Sequence, residues 1–280
     1  MVEWLQAVLL GAIQGLTEFL PVSSSGHLVL SQAWLGDDFL AASNPLFFDL
    51  VLHLGTLLPI LWFYRGDLAS VLSSVRTGQG VTASGGPVAW LRADPSRWLV
   101  AMVILGSVPT AAIGLSLEEH FEELFSSVLP VCIALLATAV LLVATRWTPE
   151  PRGPAALTWK VALLIGLIQG VAIIPGISRS GSTIALGLFL GLERDLAARF
   201  SFLLSVPAIA GAILIKGLKD GPELLGAGID WFPLLCGFLS AAVVGYLALV
   251  LLVGIVKKGG LHRFAWYLVP ASVLAWLTLG

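Results

Sequence analysis

Two apolar stretches of this chain are each broken midway by a run of proline, glycine and serine, and this interruption limits the fold more than any other feature. Residues 5–20 and 28–35 are separated by PVSSSGH, and residues 161–174 and 184–192 by PGISRSGST. Each arm is too short to cross the hydrocarbon core, which takes about 20 apolar residues. Irregular backbone cannot face lipid, because its N–H and C=O groups would lack partners there. Such a break must be buried in protein or line a wet cavity. Both regions are therefore expected to be helix–loop–helix hairpins that enter the membrane and return to the same side.

Six uninterrupted segments are long enough to span: residues 46–64, 98–117, 128–147, 198–216, 231–253 and 264–279. Trp and Tyr gather at their ends, as interfacial anchors do. Composition agrees, with 58% hydrophobic and 11% charged residues and a mean hydropathy of +0.95. A soluble domain carries about 25% charged residues, so lipid must solvate much of this surface. The net charge of −2 does not suit a nucleic-acid partner. Cys132 and Cys236 lie in apolar runs and read as small buried hydrophobes rather than as a disulfide or a metal site. The amino terminus has no basic segment and no small-residue cleavage site, so a cleaved signal peptide is not expected.

The hairpins resemble one another. Gly11, Gln14 and Gly15 match Gly166, Gln169 and Gly170 at an offset of 155 residues, and Ser23-Ser-Ser-Gly26 matches Ser178-Arg-Ser-Gly181 at the same offset. This predicts a duplication, with residues 1–147 as the first repeat (hairpin 4–35) and 148–280 as the second (hairpin 161–192). Three spans separate the hairpins. An odd number puts them on opposite faces, which makes the repeat inverted in topology, as in many secondary transporters. The expected fold class is an all-α polytopic membrane protein with six transmembrane helices and two re-entrant hairpins. Twelve of the 15 basic residues, among them Arg65, Arg146, Arg199 and Lys257, then fall on one side. The positive-inside rule makes that side cytoplasmic. Both termini, the first hairpin's opening and the acidic loop with Glu118, Glu119, Glu122 and Glu123 are expected outside. Residues 66–97, rich in Gly, Ser and Thr, are expected to form a mobile cytoplasmic loop.

A charged side chain at a helix centre in a bilayer costs about 2.5–3.5 kcal/mol on insertion scales. Glu18, His27, Asp49, His53 and Arg179 are therefore candidate functional residues. Gln14 lies one turn before Glu18 on the same face, and two such oxygens suit a hard cation or an attacking water. Ser23, Ser24, Ser25, Gly26 and His27 place hydroxyls and amide donors at a helix start, which suits a phosphate, although serines also cap helices routinely. Arg179, in SRSGST, needs an anion: a phosphoryl group, or else an internal carboxylate such as Glu18 or Asp49. Asp49 and His53 form an i, i+4 pair that either orients the site or only satisfies itself.

QGLTEFLPVSSSGH together with PGISRSGST resembles the two signature motifs of the bacterial undecaprenyl-diphosphate phosphatases, the bacitracin-resistance phosphatases, over essentially the whole chain. The resemblance implies hydrolysis of a C55 isoprenoid diphosphate to the monophosphate and phosphate at the bacterial inner membrane. The product is the carrier lipid for cell-wall polymers. It also implies a divalent cation, Mg2+ or Ca2+, on Glu18 and, through Gln14, on a position where the family has Glu or Gln. The family's proposed nucleophilic serine falls on Ser24 and its histidine on His27. Its phosphate-binding arginine falls on Arg179, flanked by Ser178, Ser180 and Gly181 and closed by Thr183. Bacitracin would compete by binding the substrate, and a homodimer is left open. So is the choice between serine attack, with His27 as base, and direct attack by water. A lipid transporter or flippase is the rival reading, because inverted repeats with midplane anion sites are a transporter pattern.

Overall fold

The computed structural model describes residues 3–35, 45–77, 86–116, 128–226 and 231–279, which hold twelve α-helices and no strand among the described residues. The first hairpin is α1 (Glu3–Phe19) and α2 (Ser24–Leu35). There follow α3 (Pro45–Phe63), α4 (Arg65–Thr77), α5 (Gly86–Arg92), α6 (Pro95–Ser116) and α7 (Val128–Ala144). The second hairpin is α8 (Trp159–Val171) and α9 (Arg179–Phe189), and α10 (Arg194–Gly226), α11 (Trp231–Lys257) and α12 (Ala265–Leu279) complete the chain.

Four helical segments, Pro95–Ser116, Val128–Trp147, Arg194–Lys219 and Trp231–Lys257, are long and apolar enough to cross a membrane. Phe47–Phe63 with Arg65–Ser73, bent by 66°, passes the same test as a pair. This is a multi-pass, helical membrane protein with four or five candidate spans among the described residues. The sixth expected span, over α12, does not reach the length of that test among the described residues. Its helix, α12, has 15 residues, about 22 Å at 1.5 Å per residue against a core of about 30 Å. A 3-10 turn over Leu261–Phe264 takes up the start of the apolar run.

The expected loop over residues 66–97 is also corrected, since much of it is helical. Chain continues from α3 through Tyr64 into α4, and α5 leads into α6. Asp94 caps α6, its carboxylate accepting from the amides of Ser96 at 2.8 Å and Arg97 at 3.0 Å. Arg65 lies over Trp62, Arg92 over Trp98 and Arg97 over Trp90, and these cation–π contacts hold short polar helices against the spans. Asp67 of α4 is salt-bridged to Arg199 of α10. Residues 78–85 and the acidic loop lie outside the described residues.

The helices pack in matched pairs. α1 lies on α11 and α8 on α6; α3 lies on α11 and α10 on α6; α7 meets α12, and α3 meets α10. Exchanging the two halves of the chain converts each of these pairs into another or into itself. Glycine lets the hairpins approach so closely. Gly15 is set against Ala241 and Gly245 of α11, and a Cβ on Gly166 would lie 1.8 Å from the Gly106 carbonyl oxygen of α6. Without a hydrophobic force between helices in lipid, such small-residue contacts carry the association. The main core cluster includes Phe19 and Phe202, 5.8 Å apart between ring centroids, together with Leu135, Ile184 and Phe200.

Gly166→Ala should therefore destabilise the protein by about 1–3 kcal/mol through overpacking. Gly254→Ala, at a helical position with open space around it, should be neutral or stabilising by up to about 1 kcal/mol. Thermal unfolding of the detergent-purified variants compares them, and equal melting of the two would contradict the close α6–α8 contact.

Candidate active site

The last two turns of α1 carry Gln14 and Glu18 one above the other, and both are buried. Gln14 donates from Nε2 to Glu18 Oε2 at 3.1 Å, and the Ser24 hydroxyl, at the first turn of α2, donates to the same oxygen at 2.7 Å. Arg179, the first residue of α9, donates from Nη2 to Glu18 Oε1 at 2.5 Å. His53 Nε2 on α3 stands 3.8 Å from Glu18 Oε2. One carboxylate thus gathers residues from both hairpins and from α3. The Glu18 and Arg179 side chains are 6% and 16% exposed, so the charges can remain there only as a pair.

Around this pair the two hairpin loops interlock. Ser23 adopts φ 70, a left-handed conformation, and its hydroxyl accepts from the amide of Gly26 at 3.3 Å and from that of Gly176, in the other loop, at 3.1 Å. Ser178 makes the equivalent cap in the second hairpin, accepting from the amide of Gly181 at 3.1 Å. Ser180 donates to the Leu20 carbonyl at 3.3 Å. A Cβ on Gly26 would come within 3.0 Å of Gly176 Cα, so glycine is what permits the loops to touch. Thr138 of α7 clamps the second loop, donating to the Gly176 carbonyl at 2.9 Å and accepting from the amide of Ser178 at 3.1 Å.

Of the candidate residues, Gln14, Glu18, Ser24, His53 and Arg179 meet directly. Ser23 and Ser178 commit their hydroxyls to capping and loop closure, Ser25 shares a 3.4 Å contact with Ser23, and Ser180 holds the first loop. Thr183 donates to the Arg179 carbonyl at 2.8 Å and lies 2.5 Å from Ser201 on α10. The two candidate histidines take unlike positions. His27 is not hydrogen-bonded to Ser24: its ring nitrogens face the Ser23 carbonyl and the Tyr267 hydroxyl, each at 2.8 Å. His53 bonds through Nδ1 to the main-chain carbonyl of Asp49 at 2.7 Å, and its other nitrogen faces Glu18 itself. Thr138, Ser201 and Tyr267 were not candidates. Thr138 is a single hydroxyl in an apolar helix, Ser201 is one of two serines in α10, and Tyr267 looks like an interfacial anchor, so only the folded arrangement singles them out.

Two buried polar atoms at this centre have no hydrogen-bond partner: Gln14 Oε1 and Arg179 Nη1. An unpaired buried polar atom is costly and points to a ligand. A guanidinium nitrogen suits an anionic oxygen, and an amide oxygen beside a carboxylate suits a hard cation. Among the described residues no group of three or more His, Cys, Asp or Glu could enclose a metal. Gln14 Oε1 and the Glu18 carboxylate are the oxygens at this centre that a cation could take.

The family model described as "Bacitracin resistance protein BacA" matches residues 7–274. A protein named undecaprenyl-diphosphatase from Desulforapulum autotrophicum is 48% identical over 268 residues, covering 95% of this chain and 94% of the relative. One of the same name from Desulfosudis oleivorans is 46% identical, covering 98% of each chain. Another, from Methanosphaera stadtmanae, is 42% identical, covering 95% of each. With its hairpin motifs, its buried Glu18–Arg179 centre and these matches along nearly its full length, the chain belongs to the bacitracin resistance protein BacA family.

Proposed function

We propose that this protein hydrolyses undecaprenyl diphosphate to undecaprenyl phosphate and phosphate, recycling the carrier lipid of cell-wall synthesis. The relatives' shared name, undecaprenyl-diphosphatase, supports the reaction. The observation that carries it is the meeting of Glu18, Ser24 and Arg179, where Arg179 keeps one buried nitrogen without a partner. The terminal phosphoryl group would take that nitrogen, with the first amides of α9 adding donors at a helix N-terminus.

Phosphoryl transfer depends mainly on positioning and on neutralising charge. Ser24 Oγ attacks the terminal phosphorus as the bond from that phosphorus to the bridging oxygen breaks, and undecaprenyl phosphate leaves. The hydroxyl proton passes to Glu18 Oε2, which already accepts it at 2.7 Å. Water then attacks the phosphoserine, phosphate is released and Ser24 regains a proton. Direct attack by a water held at Glu18 is the alternative route. Gln14 and Glu18 would hold a divalent cation, Mg2+ or Ca2+, which when bound adds positive charge against the diphosphate oxygens. Bacitracin would compete by sequestering the substrate.

The membrane arrangement belongs to the same proposal: two inverted repeats, residues 1–147 and 148–280, with six membrane-crossing segments and two re-entrant hairpins in the bacterial inner membrane. The site and both termini face outward. The exchange of packing partners between the halves supports the repeat, and the basic residues on one side support the orientation. The same pattern favours a second reading, movement of a lipid-linked phosphate between leaflets.

Purified protein in detergent should release phosphate from a long isoprenyl diphosphate, and chelating the divalent cation should abolish the release. Arg179→Ala should lower kcat/KM by about 10²–10³-fold. Absence of phosphate release from active-site-intact protein would leave only the transport reading. Rapid quenching should trap a phosphoserine that is lost in Ser24→Ala, whereas a nearly fully active Ser24→Ala would favour water attack. A cysteine at position 25, in a background lacking Cys132 and Cys236, should react with an impermeant reagent from outside the cell, and reaction from the cytoplasm would reverse the orientation.

A further inference from the structure

The environment of His27 singles out a residue on the last helix. His27 Nδ1 is 2.8 Å from the Ser23 carbonyl oxygen, which can only accept, so Nδ1 carries the proton. In the neutral ring Nε2 then holds a lone pair. The Tyr267 hydroxyl, 240 residues away in sequence and on α12, lies 2.8 Å from Nε2 and is placed to donate to it. The two rings are nearly parallel, with centroids 5.7 Å apart and planes 15° from each other. His27 follows the strained Ser23 by one helical turn, and its main-chain amide bonds to the Ser23 carbonyl as well, at 3.1 Å. The imidazole is thus fixed at both nitrogens, once by its own hairpin and once by the opposite half of the chain. The ring nitrogen not tied to its own backbone determines what a histidine can do as acid or base, and its partner sets both tautomer and orientation.

We propose that Tyr267 is a positioning residue for the hydrolytic site. It holds His27 as the Nδ1–H tautomer, with Nε2 accepting from the phenol, and through the Ser23 carbonyl it braces the loop that sets Ser24 against Glu18. An interfacial anchor needs only the aromatic ring, whereas this role needs the hydroxyl. The role rests on the hydrolase reading above, and its test therefore has one arm that does not depend on turnover.

In the first arm, initial rates of phosphate release from a long isoprenyl diphosphate are measured for wild type, Tyr267→Phe, His27→Ala and the double variant. Tyr267→Phe should lower kcat about tenfold, the scale of one lost hydrogen bond, with KM unchanged. The double variant should be no slower than His27→Ala, because the phenol acts through the imidazole. A wild-type kcat in Tyr267→Phe, a fully active His27→Ala, losses that multiply in the double variant, or a change in KM alone would each overturn the proposal. In the second arm, 15N-histidine NMR of the detergent-solubilised protein assigns His27 by difference against His27→Ala. It should show a protonated Nδ1 and a hydrogen-bonded Nε2 lone pair in wild type, and a shifted Nε2 in Tyr267→Phe. An Nε2–H tautomer in wild type, or a spectrum unaltered by Tyr267→Phe, refutes the pairing without reference to activity. Wild-type protein that releases no phosphate but keeps this NMR signature would sink the hydrolase reading and leave the pairing intact.

Discussion

The arrangement depends on one buried ion pair. Glu18 and Arg179 are both withdrawn from solvent and meet at 2.5 Å. Either charge alone in this position would be strongly unfavourable, and removing one partner from such a pair typically costs about 3–5 kcal/mol. The pair explains why the loops must come together, and the loops in turn explain the glycines and serines of the two motifs. Ser23 and Ser178 cap the returning helices, Gly26 and Gly176 allow backbone to touch backbone, and Thr138 holds the second loop from outside the hairpin. The pair does not saturate its own members. Arg179 retains an unpartnered nitrogen and Gln14 an unpartnered oxygen, so the centre is satisfied as a scaffold and unsatisfied as a binding site.

Packing between the halves turns two short hairpins into one site. Each first arm lies on the second long span of the opposite half, α1 on α11 and α8 on α6, and small residues line both contacts. The lipid-facing sides of the spans keep large apolar residues such as Ile104, Val108, Val140 and Leu247 exposed, as expected where hydrocarbon rather than water is the neighbour.

Much of this was legible in the chain. A Pro/Gly/Ser break inside an apolar run has few physical solutions, and the two breaks at residues 21–27 and 175–183 fold as helix–loop–helix turns that meet. Glu18 and Arg179 drew attention through the cost of isolated charge. Less legible was anything that depends on side-chain direction. His27, three residues from Ser24, turns to Tyr267, while His53, on a separate helix, reaches Glu18. Thr138 could not be found because one hydroxyl in VLPVCIALLATAVLLVA shows no sign of what it faces. The segment after Tyr64 was misjudged because its helices are polar and short. They are held by Trp–Arg contacts and by Asp67 with Arg199, none of which hydropathy detects.

The exchanged packing also bears on how the chain is made. Arg179 follows Glu18 by 161 residues, and α11, on which α1 rests, is later still. During synthesis from the amino terminus the first hairpin is made before its counter-charge exists. Until then the only partners that the finished structure gives Glu18 from earlier in the chain are Gln14, Ser24 and His53. The ion pair can therefore close only after the second hairpin has been made, and a chain cut short before Arg179 would keep the Glu18 carboxylate without its counter-charge.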